Sequence, residues 1–358
     1  GVIRSWSVGA TALWQQMWLL SNRGLGLDLE NPILSFTDNG VFTDSVSFNE
    51  KFNDEKPVFA TRFREYLINK GATDAYGRPI TQDSYVDVNS YDPSDFSLDM
   101  FSADELWNNG NNLIAYSGYD YLGNKVRKAP SVDDFINDPL NRPVGAFMPI
   151  YTAAFIQDKY VLKDLTIRAG VRIERYDANQ PVLRDPFSLY PIKTAGEVTE
   201  LNGNPVNHPN GIGGDYAVYV DNANNPTAIA GYRNGINWYN ANGTAVTDPT
   251  IIATSTSSGT IQPLLVDPNR QEVTRESFRD FDPIFNVLPR IWFDFPVNTS
   301  SRFFANYDVI AQRPQNSFTP ISDWYFLRNT PTNVINNPNL QSQLTTDYEV
   351  GFKQKIGN

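Results

Sequence analysis

The chain contains 358 residues, carries a net charge of −11, has no cysteine and is 13% aromatic. This acidic balance excludes nucleic acid as the expected partner, because the phosphate backbone would be repelled. Without cysteine there are no disulfides, thiolate metal sites or cysteine nucleophiles. The single histidine, His208, is predicted to be a surface residue in a loop. No catalytic constellation or cofactor motif is found, so we expect neither an enzyme nor a cofactor.

Strands, rather than membrane-spanning helices, are the expected regular elements. No run of 18 apolar residues occurs, and Asn, Asp, Gly and Pro crowd the stretches between apolar segments. Aromatic-rich segments joined by such stretches are typical of all-β proteins with elaborate loops. The sequence therefore predicts an all-β fold.

The first 20 residues are predicted to form one long strand. Apolar residues occupy every second position from Trp6 to Trp14, and Ser7, Gly9 and Thr11 lie on the other face. Period two is the spacing of a β-strand with one apolar face. Tryptophans near both ends would suit the two interfaces of a membrane, while a strand of a soluble sandwich is the alternative.

The next stretch, Asn22 to Val144, is predicted to be a long irregular connection. Its local signals are a turn, a short helix and a capped helical turn, at Asp38–Asn39–Gly40, Phe59–Lys70 and Ser102. The segments DAYGRPI and DYLGNKV, which begin at Asp74 and Asp120, look alike. Two matches do not establish a repeat.

The clearest strand pair is Ile150–Leu162 with Leu165–Asp177, joined by a tight turn at Lys163–Asp164. In the second strand, apolar residues alternate without interruption with small, polar or charged ones. About 13 residues at roughly 3.4 Å each, tilted by about 40–45°, span roughly 30 Å. That length matches the hydrocarbon thickness of a bilayer.

A second long connection, Ala178 to Asn286, is rich in Asn, Gly and Pro and shows no helical period. Its segment TSTSSGT, Thr254 to Thr260, has a composition close to that of a flexible linker. Long connections without regular structure usually carry function or disorder. We therefore expect ligand specificity to lie in the connections 22–144 and 178–286.

Three further strands are predicted downstream. Val287 to Gln312 alternates as a hairpin around a turn at Asn298–Ser301. Leu344 to Ile356 alternates as a last strand after the connection Gln315–Gln341. The two hairpin turns are short and the three other connections are long, which is typical of outer-membrane barrels.

Three segments resemble the barrels of TonB-dependent outer-membrane transporters, of the Bacteroidota type, and together cover about a quarter of the chain. The first shows an aromatic–Gln–Asp strand, a short turn and a G-x-R-x-E strand. The second resembles PR-I-x-F-x-F-P followed by A-N-Y and Q-R-P, and the third resembles N-P-x-L followed by Y-E-x-G-F. These segments are Ala153–Asp177, Pro289–Pro314 and Asn337–Gln354.

The resemblance implies part of a large transmembrane antiparallel β-barrel in the cell outer membrane, and the alternating segments of this chain supply about six of its long strands. It implies energy-coupled uptake of a large ligand that the extracellular loops capture. The implied partners are outer-membrane lipid, a plug domain, the remaining barrel strands and the TonB system, with a surface lipoprotein as a further candidate. Family members carry a signal, a coupling box and a plug that this sequence lacks, so residues 1–358 are expected to be a fragment of one barrel domain.

Charged and polar residues on one face of the strands are the candidate functional residues. Their odd or even positions along each strand (their parity) predict that they face the barrel lumen. The ordinary role of such residues there is to pair with neighbouring strands or a plug. A direct contact with substrate is the alternative. They are Arg168, Arg172, Glu174, Arg290, Asp294, Asn306, Asp308, Asp347 and Glu349.

The sequence patterns leave two classes of function open. One is transport, and the other is a secreted all-β adhesin or carbohydrate-binding module whose aromatic residues stack on sugars. Strand length, the pattern of connections and the three family-like segments favour transport. The ligand stays open between siderophore, glycan, peptide and protein.

Overall fold

The computed structural model describes residues 2–37, 39–40, 42–256, 259–269, 271–315, 318–330 and 334–356. Strands dominate and helices are few, so the predicted all-β class is confirmed at that level. The chain divides into two compact units. The sheet unit comprises Gly1–Val2, Phe147–Tyr325 and Val334–Asn358, and the N-terminal unit comprises Ile3–Ala146 and Phe326–Asn333.

Five long antiparallel strands form the main sheet of the sheet unit, and their order in the sheet follows the sequence. They are β1 (Ile150–Leu162), β2 (Leu165–Asp177), β3 (Ile284–Asn298), β4 (Ser301–Gln312) and β5 (Gln343–Gln354). Each contains 12 to 15 residues, whereas strands of soluble proteins usually contain about 5–6. β1 and β5 are open edges, and the described residues form no closed barrel.

The short turns and the long connections leave opposite ends of this sheet, as predicted. Lys163–Asp164 joins β1 to β2, and Thr299–Ser300 joins β3 to β4. Lys163 has a φ of +54°, in the left-handed region that two-residue hairpin turns require. Because neighbouring strands are antiparallel, the connections 178–283 and 313–342 both start from the other end.

The long strand predicted over the first 20 residues is not formed, so the sheet has five long strands instead of six. Ser5–Val8 is a short strand paired with Ile114–Ser117, and Ala10–Ser21 is a helix. Ala, Leu, Met and Gln dominate this helix and favour helical backbone. Met17 and Leu20 are buried three residues apart, so the burial follows a helical period and not the period of two.

The predicted irregular connection 22–144 contains most of the N-terminal unit and has a core of its own. The helix Val58–Asn69 matches the predicted one and buries Phe59, Phe63 and Leu67 at a spacing of four residues. Ser102 begins the next helix with a capping box, as predicted, and its hydroxyl accepts the backbone N–H of Glu105 at 3.2 Å.

The remaining elements of the N-terminal unit are short. Its strands are Leu25–Leu27, Ile33–Phe36, Phe42–Ser47 and Glu50–Phe52. Its short helices are Ala103–Trp107 and Val132–Asn137. Its 3-10 turns are Val88–Ser90, Pro93–Asp95, Leu98–Met100, Asn108–Gly110 and Leu327–Asn329. The predicted turn near residue 40 joins two of these strands, where the Gly40 N–H donates to the Thr37 carbonyl at 2.8 Å. Asp38 of that turn lies outside the described residues.

Arg64 lies at the centre of the N-terminal unit with no exposed surface. Its guanidinium donates to the carbonyls of Ser21, Ala60 and Ser84 and to Oδ1 of Asn22, over 2.7 to 3.0 Å. Burial lowers the pKa of Arg64 to about 10, so it remains charged at neutral pH. One side chain therefore ties three separate stretches of chain together.

The two look-alike segments at Asp74 and Asp120 form the same turn. In each, the backbone N–H of the aspartate donates to the carbonyl four residues later at 2.8 Å, and a glycine N–H returns to the aspartate carbonyl at 3.0 Å. Asn240 begins a third turn of this kind. All three contain a glycine at positive φ three residues on: Gly77, Gly123 and Gly243. The spacing Asp/Asn-x-x-Gly is thus a turn motif in this chain.

The second long connection is not irregular throughout, because part of it folds as a small five-stranded sheet. In sheet order its strands are Ala245–Val246, Asn237–Asn240, Ile229–Asn234, Ala217–Val220 and Gln262–Pro263. Val218, Tyr232 and Leu264 lie in its core. The other elements of the connection are Pro181–Leu183, Glu200–Leu201, Asn204–Pro205, Thr250–Thr254, Arg275–Ser277 and Phe278–Asp280. Residues 257–258 of the predicted linker lie outside the described residues.

His208 is not the plain surface residue that was predicted. It is half-buried in the connection, with Nδ1 at 2.9 Å from the Tyr232 hydroxyl and Nε2 at 2.8 Å from the Val198 carbonyl. Nε2 donates to that carbonyl, because a carbonyl oxygen can only accept. His208 therefore helps to hold the small sheet together.

A helix, Ile321–Tyr325, follows β4 in the connection to β5. No helix in the described part of the chain is long and apolar enough to cross a membrane.

Candidate functional site

The main sheet has one polar and one apolar face, and all nine candidate residues lie on the polar one. The register shows this directly, because directly paired residues of antiparallel strands project to the same face. Gly170, Arg290, Asp308 and Asp347 form one row across β2 to β5, and Arg168, Trp292, Asn306 and Glu349 form the next. Asp294, Arg172 and Glu174 are two or four residues from members of these rows and share their face.

The opposite face is apolar and exposed. On β5, Tyr348 is 77% and Val350 is 70% exposed, and on β1 Ile156 is 71% exposed. The central strands continue this surface with Val287, Ile291, Phe293, Phe295, Val297, Phe303 and Tyr307. A single sheet thus exposes an apolar surface far larger than the scattered apolar residues that ordinary soluble proteins expose.

A groove of about 640 Å³ lies on the polar face. Six of the nine candidate residues line it: Arg168, Arg290, Asp294, Asn306, Asp308 and Glu349. Gly170 is one reason for its shape, because a Cβ at this position would lie 2.9 Å from the Ile156 carbonyl oxygen. The absent side chain therefore lets the backbone of β1 approach β2 closely at this edge of the groove.

Gly351 shapes the groove from β5. Its ideal Cβ position is occupied by the ring of Phe304, the residue directly opposite on β4. The phenyl ring therefore lies across the glycine and forms part of the groove lining. Position 351 has to remain glycine for the ring to stay there.

Two ion pairs cross the groove. Arg302 Nε is 3.1 Å from Asp294 Oδ1, and Arg290 Nε is 3.6 Å from Asp308 Oδ1. Both pairs join β3 and β4, the two strands of the second hairpin. Pairing between neighbouring strands is the ordinary role that was expected for the charged residues of this face.

Two other cations rest on aromatic rings instead of carboxylates. The Arg168 guanidinium carbon is 4.9 Å from the centre of the Trp292 ring, and Lys353 Nζ is 5.3 Å from the centre of the Phe304 ring. Cation–π contacts hold such groups in place and leave their N–H donors available.

Arg172 and Glu174 lie on the polar face but outside the groove. Glu174 Oε1 accepts hydrogen bonds from Arg172 Nε and from the Tyr151 hydroxyl, each at 2.6 Å. Arg313 lies over the Tyr151 ring at 4.4 Å. Asp347, the last candidate residue, is exposed on β5 opposite Asp308 and does not line the groove.

The end of the polar face that carries the long connections is closed by an apolar cluster. Tyr176 and Ile284, paired across β2 and β3, are both buried there. They pack with Phe147, Ala178, Val182 and Phe281. The groove therefore opens on the hairpin half of the face, between this cluster and the short turns.

Trp292, Phe304, Arg302 and Lys353 line the groove but were not among the predicted site residues. Parity alone would have placed all four on the polar face, since each is an even number of residues from a predicted member of its strand. The two aromatic residues were missed because polarity served as the criterion for site residues.

The connection 178–283 contains a second charged centre. Arg233 is buried and pairs with Asp185, and its guanidinium lies 4.7 Å from the Phe187 ring and 5.6 Å from the Trp238 ring. It also donates to the Tyr219 hydroxyl at 3.0 Å. Nη1 of Arg233 donates to the Gly235 carbonyl at 2.7 Å, so each nitrogen of the guanidinium has a partner and this centre stabilises the small sheet.

No cluster of three or more His, Asp or Glu side chains in the described ranges is placed to hold a metal ion. Comparison with models of protein families, with curated proteins and with solved structures found no match. The two faces of the main sheet are therefore the features of the molecule that bear on its function.

Proposed function

We propose that this chain forms part of the wall of an outer-membrane β-barrel transporter of the TonB-dependent type. The apolar face of β1 to β5 contacts lipid, and the polar face lines the aqueous lumen. The connections 22–144 and 178–283 are extracellular and capture the ligand, and the short turns at Lys163–Asp164 and Thr299–Ser300 are periplasmic.

The observation that carries this proposal is the exposed apolar face on strands of 12 to 15 residues. At roughly 3.4 Å per residue and a tilt of about 45°, such strands span about 30 Å, the thickness of bilayer hydrocarbon. Alternation of apolar outside and polar inside is the pattern of transmembrane barrels.

The open edges of the sheet add a requirement. β1 and β5 each have one unpaired side within the described residues. Unpaired backbone N–H and C=O groups are too costly in hydrocarbon, so only closed barrels are viable there. Under this proposal both edges pair with further strands, and five strands are fewer than the eight of the smallest such barrels.

Energy coupling of transport enters the proposal only through the family resemblance. Coupling to the TonB system, a plug domain inside the lumen and a surface lipoprotein as a further partner are expectations of that kind. A soluble adhesin or sugar-binding module is disfavoured, because water would contact the whole apolar face.

The test uses adjacent cysteines on opposite faces, and the chain has no native cysteine to interfere. Val350→Cys lies on the apolar face of β5, and Glu349→Cys lies next to it on the polar face. In intact membranes, Val350→Cys should react with a lipid-soluble maleimide. Glu349→Cys should react only with a small hydrophilic thiol reagent.

Val171→Cys provides a second apolar-face site on β2, at the middle of the strand. If Val350→Cys and Val171→Cys were both unreactive towards the lipid-soluble reagent, the apolar face would be packed against protein. That result, or recovery of the protein in a soluble fraction without detergent, would overturn the proposal.

A further inference from the structure

The hairpin end of the groove carries more positive charge than its own side chains neutralise. Arg168 lies on β2, an interior strand, so both of its neighbours in the sheet are known. They are Lys159 on β1, which has the same charge, and Trp292 on β3. Among the described residues, no carboxylate lies within ion-pair distance of Arg168.

A second pair of like charges lies on the other side of the groove. Arg302 and Lys353 are directly opposite each other on β4 and β5. Asp294 pairs with Arg302, and Lys353 has no carboxylate partner among the described residues. Like charges placed directly opposite each other destabilise a sheet. Two such pairs around one groove are difficult to explain by stability alone.

The unneutralised cations are held in place from opposite sides. Arg168 leans from β2 onto the Trp292 ring on β3, and Lys353 leans from β5 onto the Phe304 ring on β4. Both cations therefore lean towards β3 and β4, the strands between them. A guanidinium stacked on a ring keeps the N–H groups at its edge free for a planar, bidentate contact.

We propose that this end of the groove binds a carboxylate group of a small solute, with Arg168 as the main contact and Lys353 as the second. The inference rests on the proposed function, because it needs the polar face to contact water in a passage. A groove of about 640 Å³ is within the range of small-ligand sites, about 300–1,000 Å³. The solute class is therefore a carboxylate-bearing molecule of about the size of a short peptide or oligosaccharide acid.

Asp294 is the carboxylate at this end of the groove, and it pairs with Arg302. Asp308 pairs with Arg290, and Glu349 lies on β5 in the same row as Asn306. Within the described residues, none of these three carboxylates forms an ion pair with Arg168 or Lys353. A neutral solute would gain nothing from the unpaired cations, so the charge of the ligand is the property that we expect to be recognised.

The experiment measures binding of a tri-glutamate peptide to the purified protein in detergent by titration calorimetry, with a tri-serine peptide as the neutral probe. Tri-glutamate should bind, more weakly as NaCl is raised, and tri-serine should not. Arg168→Gln should weaken tri-glutamate binding by about tenfold or more, since it removes a charge-assisted contact. Arg168→Lys keeps the charge but loses the planar, bidentate fork, so it should bind tri-glutamate more weakly than the wild type and more tightly than Arg168→Gln.

The matched control is Arg23→Gln, which removes an exposed arginine in the N-terminal unit. It should leave binding unchanged. No tri-glutamate binding to the wild-type protein, or equal affinity of the wild type and Arg168→Gln, would overturn the inference. If Val350→Cys still reacts with the lipid-soluble maleimide in that case, the wall proposal stands, and only the assignment of the ligand fails.

Discussion

At the residue scale, adjacent side chains of one strand face two different surroundings. On β4, Ala305 projects to the apolar face between Phe293 and Val350, and Asn306 projects to the polar face between Trp292 and Glu349. The two positions are at the same depth along the strand. They provide a comparison in which position along the sheet is constant and only the face differs.

We predict that Ala305→Arg prevents assembly of the protein in the membrane, whereas Asn306→Arg is tolerated. An arginine on the lipid face near the bilayer middle costs about 2–4 kcal/mol, and lumen substitutions mainly change selectivity. The amount of protease-resistant protein in the membrane fraction measures the difference. Equal loss for both variants would show that the two faces have the same surroundings.

A second prediction at this scale concerns Arg64. Arg64→Met removes the donors of several buried carbonyls and should destabilise the N-terminal unit by more than about 3 kcal/mol. The matched control on the same helix is Arg62→Met, whose side chain is only partly buried and donates to the carbonyls of Asp99 and Phe101. We expect about 1 kcal/mol for it. Proteolysis in increasing urea measures both.

The Arg64 effect should not depend on pH near neutrality. Burial places its folded pKa at about 10, below its ordinary value, so the folded state releases this proton more easily than the unfolded chain. The desolvation cost is therefore present throughout the range below about pH 10 and is relieved only above it. Equal urea midpoint shifts at about pH 6 and about pH 8 are expected, and a shift that changes between them would contradict this account.

At the element scale, the pairing of β4 with β5 depends on a glycine under an aromatic ring. Gly351 leaves the space in which the Phe304 ring lies. A methyl group there has to move the ring, and with it one wall of the groove, because strand backbone atoms cannot retreat while the ladder is intact.

We predict that Gly351→Ala destabilises the sheet by about 1–3 kcal/mol, the usual cost of overpacking. Phe304→Ala combined with Gly351→Ala should recover part of that loss, because the ring that clashes is gone. Urea midpoints followed by far-UV circular dichroism give the double-mutant cycle. Additive effects of the two changes would show that the ring does not lie over the glycine.

At the scale of the whole molecule, the small sheet in the connection 178–283 is built as an insertion. Ile192 and Leu265 are paired by a β-bridge, so the chain enters and leaves the region 193–264 at adjacent points. Most of its core lies between them, including Val218 and Tyr232. This region can therefore be removed without stretching the chain on either side.

We predict that replacing residues 193–264 by a Gly-Ser linker leaves β1 to β5 assembled in the membrane and abolishes uptake or partner binding. The reactivity of Val350→Cys towards the lipid-soluble maleimide reports assembly in the same samples. Unchanged uptake or partner binding after the deletion would show that residues 193–264 do not capture the ligand. Loss of assembly would show that the insertion is needed for folding of the wall.

The bounds of the first two long strands were determined by the sequence alone, whereas β3 begins at Ile284 instead of the predicted Val287, and β5 is Gln343–Gln354 instead of Leu344–Ile356. Alternation of apolar and polar residues is a local property, and the predicted strands Ile150–Leu162 and Leu165–Asp177 match the observed ones residue for residue. The same logic failed for the first 20 residues. There, the even spacing of tryptophans also fits a helix, and the strong helix formers between Ala10 and Ser21 decided the outcome.

Only the tertiary structure decided which residues meet. Parity fixes the face of a side chain, but the register between strands decides that Arg168 lies beside Trp292 and that Phe304 covers Gly351. The small sheet and the half-buried His208 likewise depend on pairings between residues far apart in sequence. A single sequence encodes its local periods directly, whereas partners across the sheet are selected by the packing energy of the whole fold.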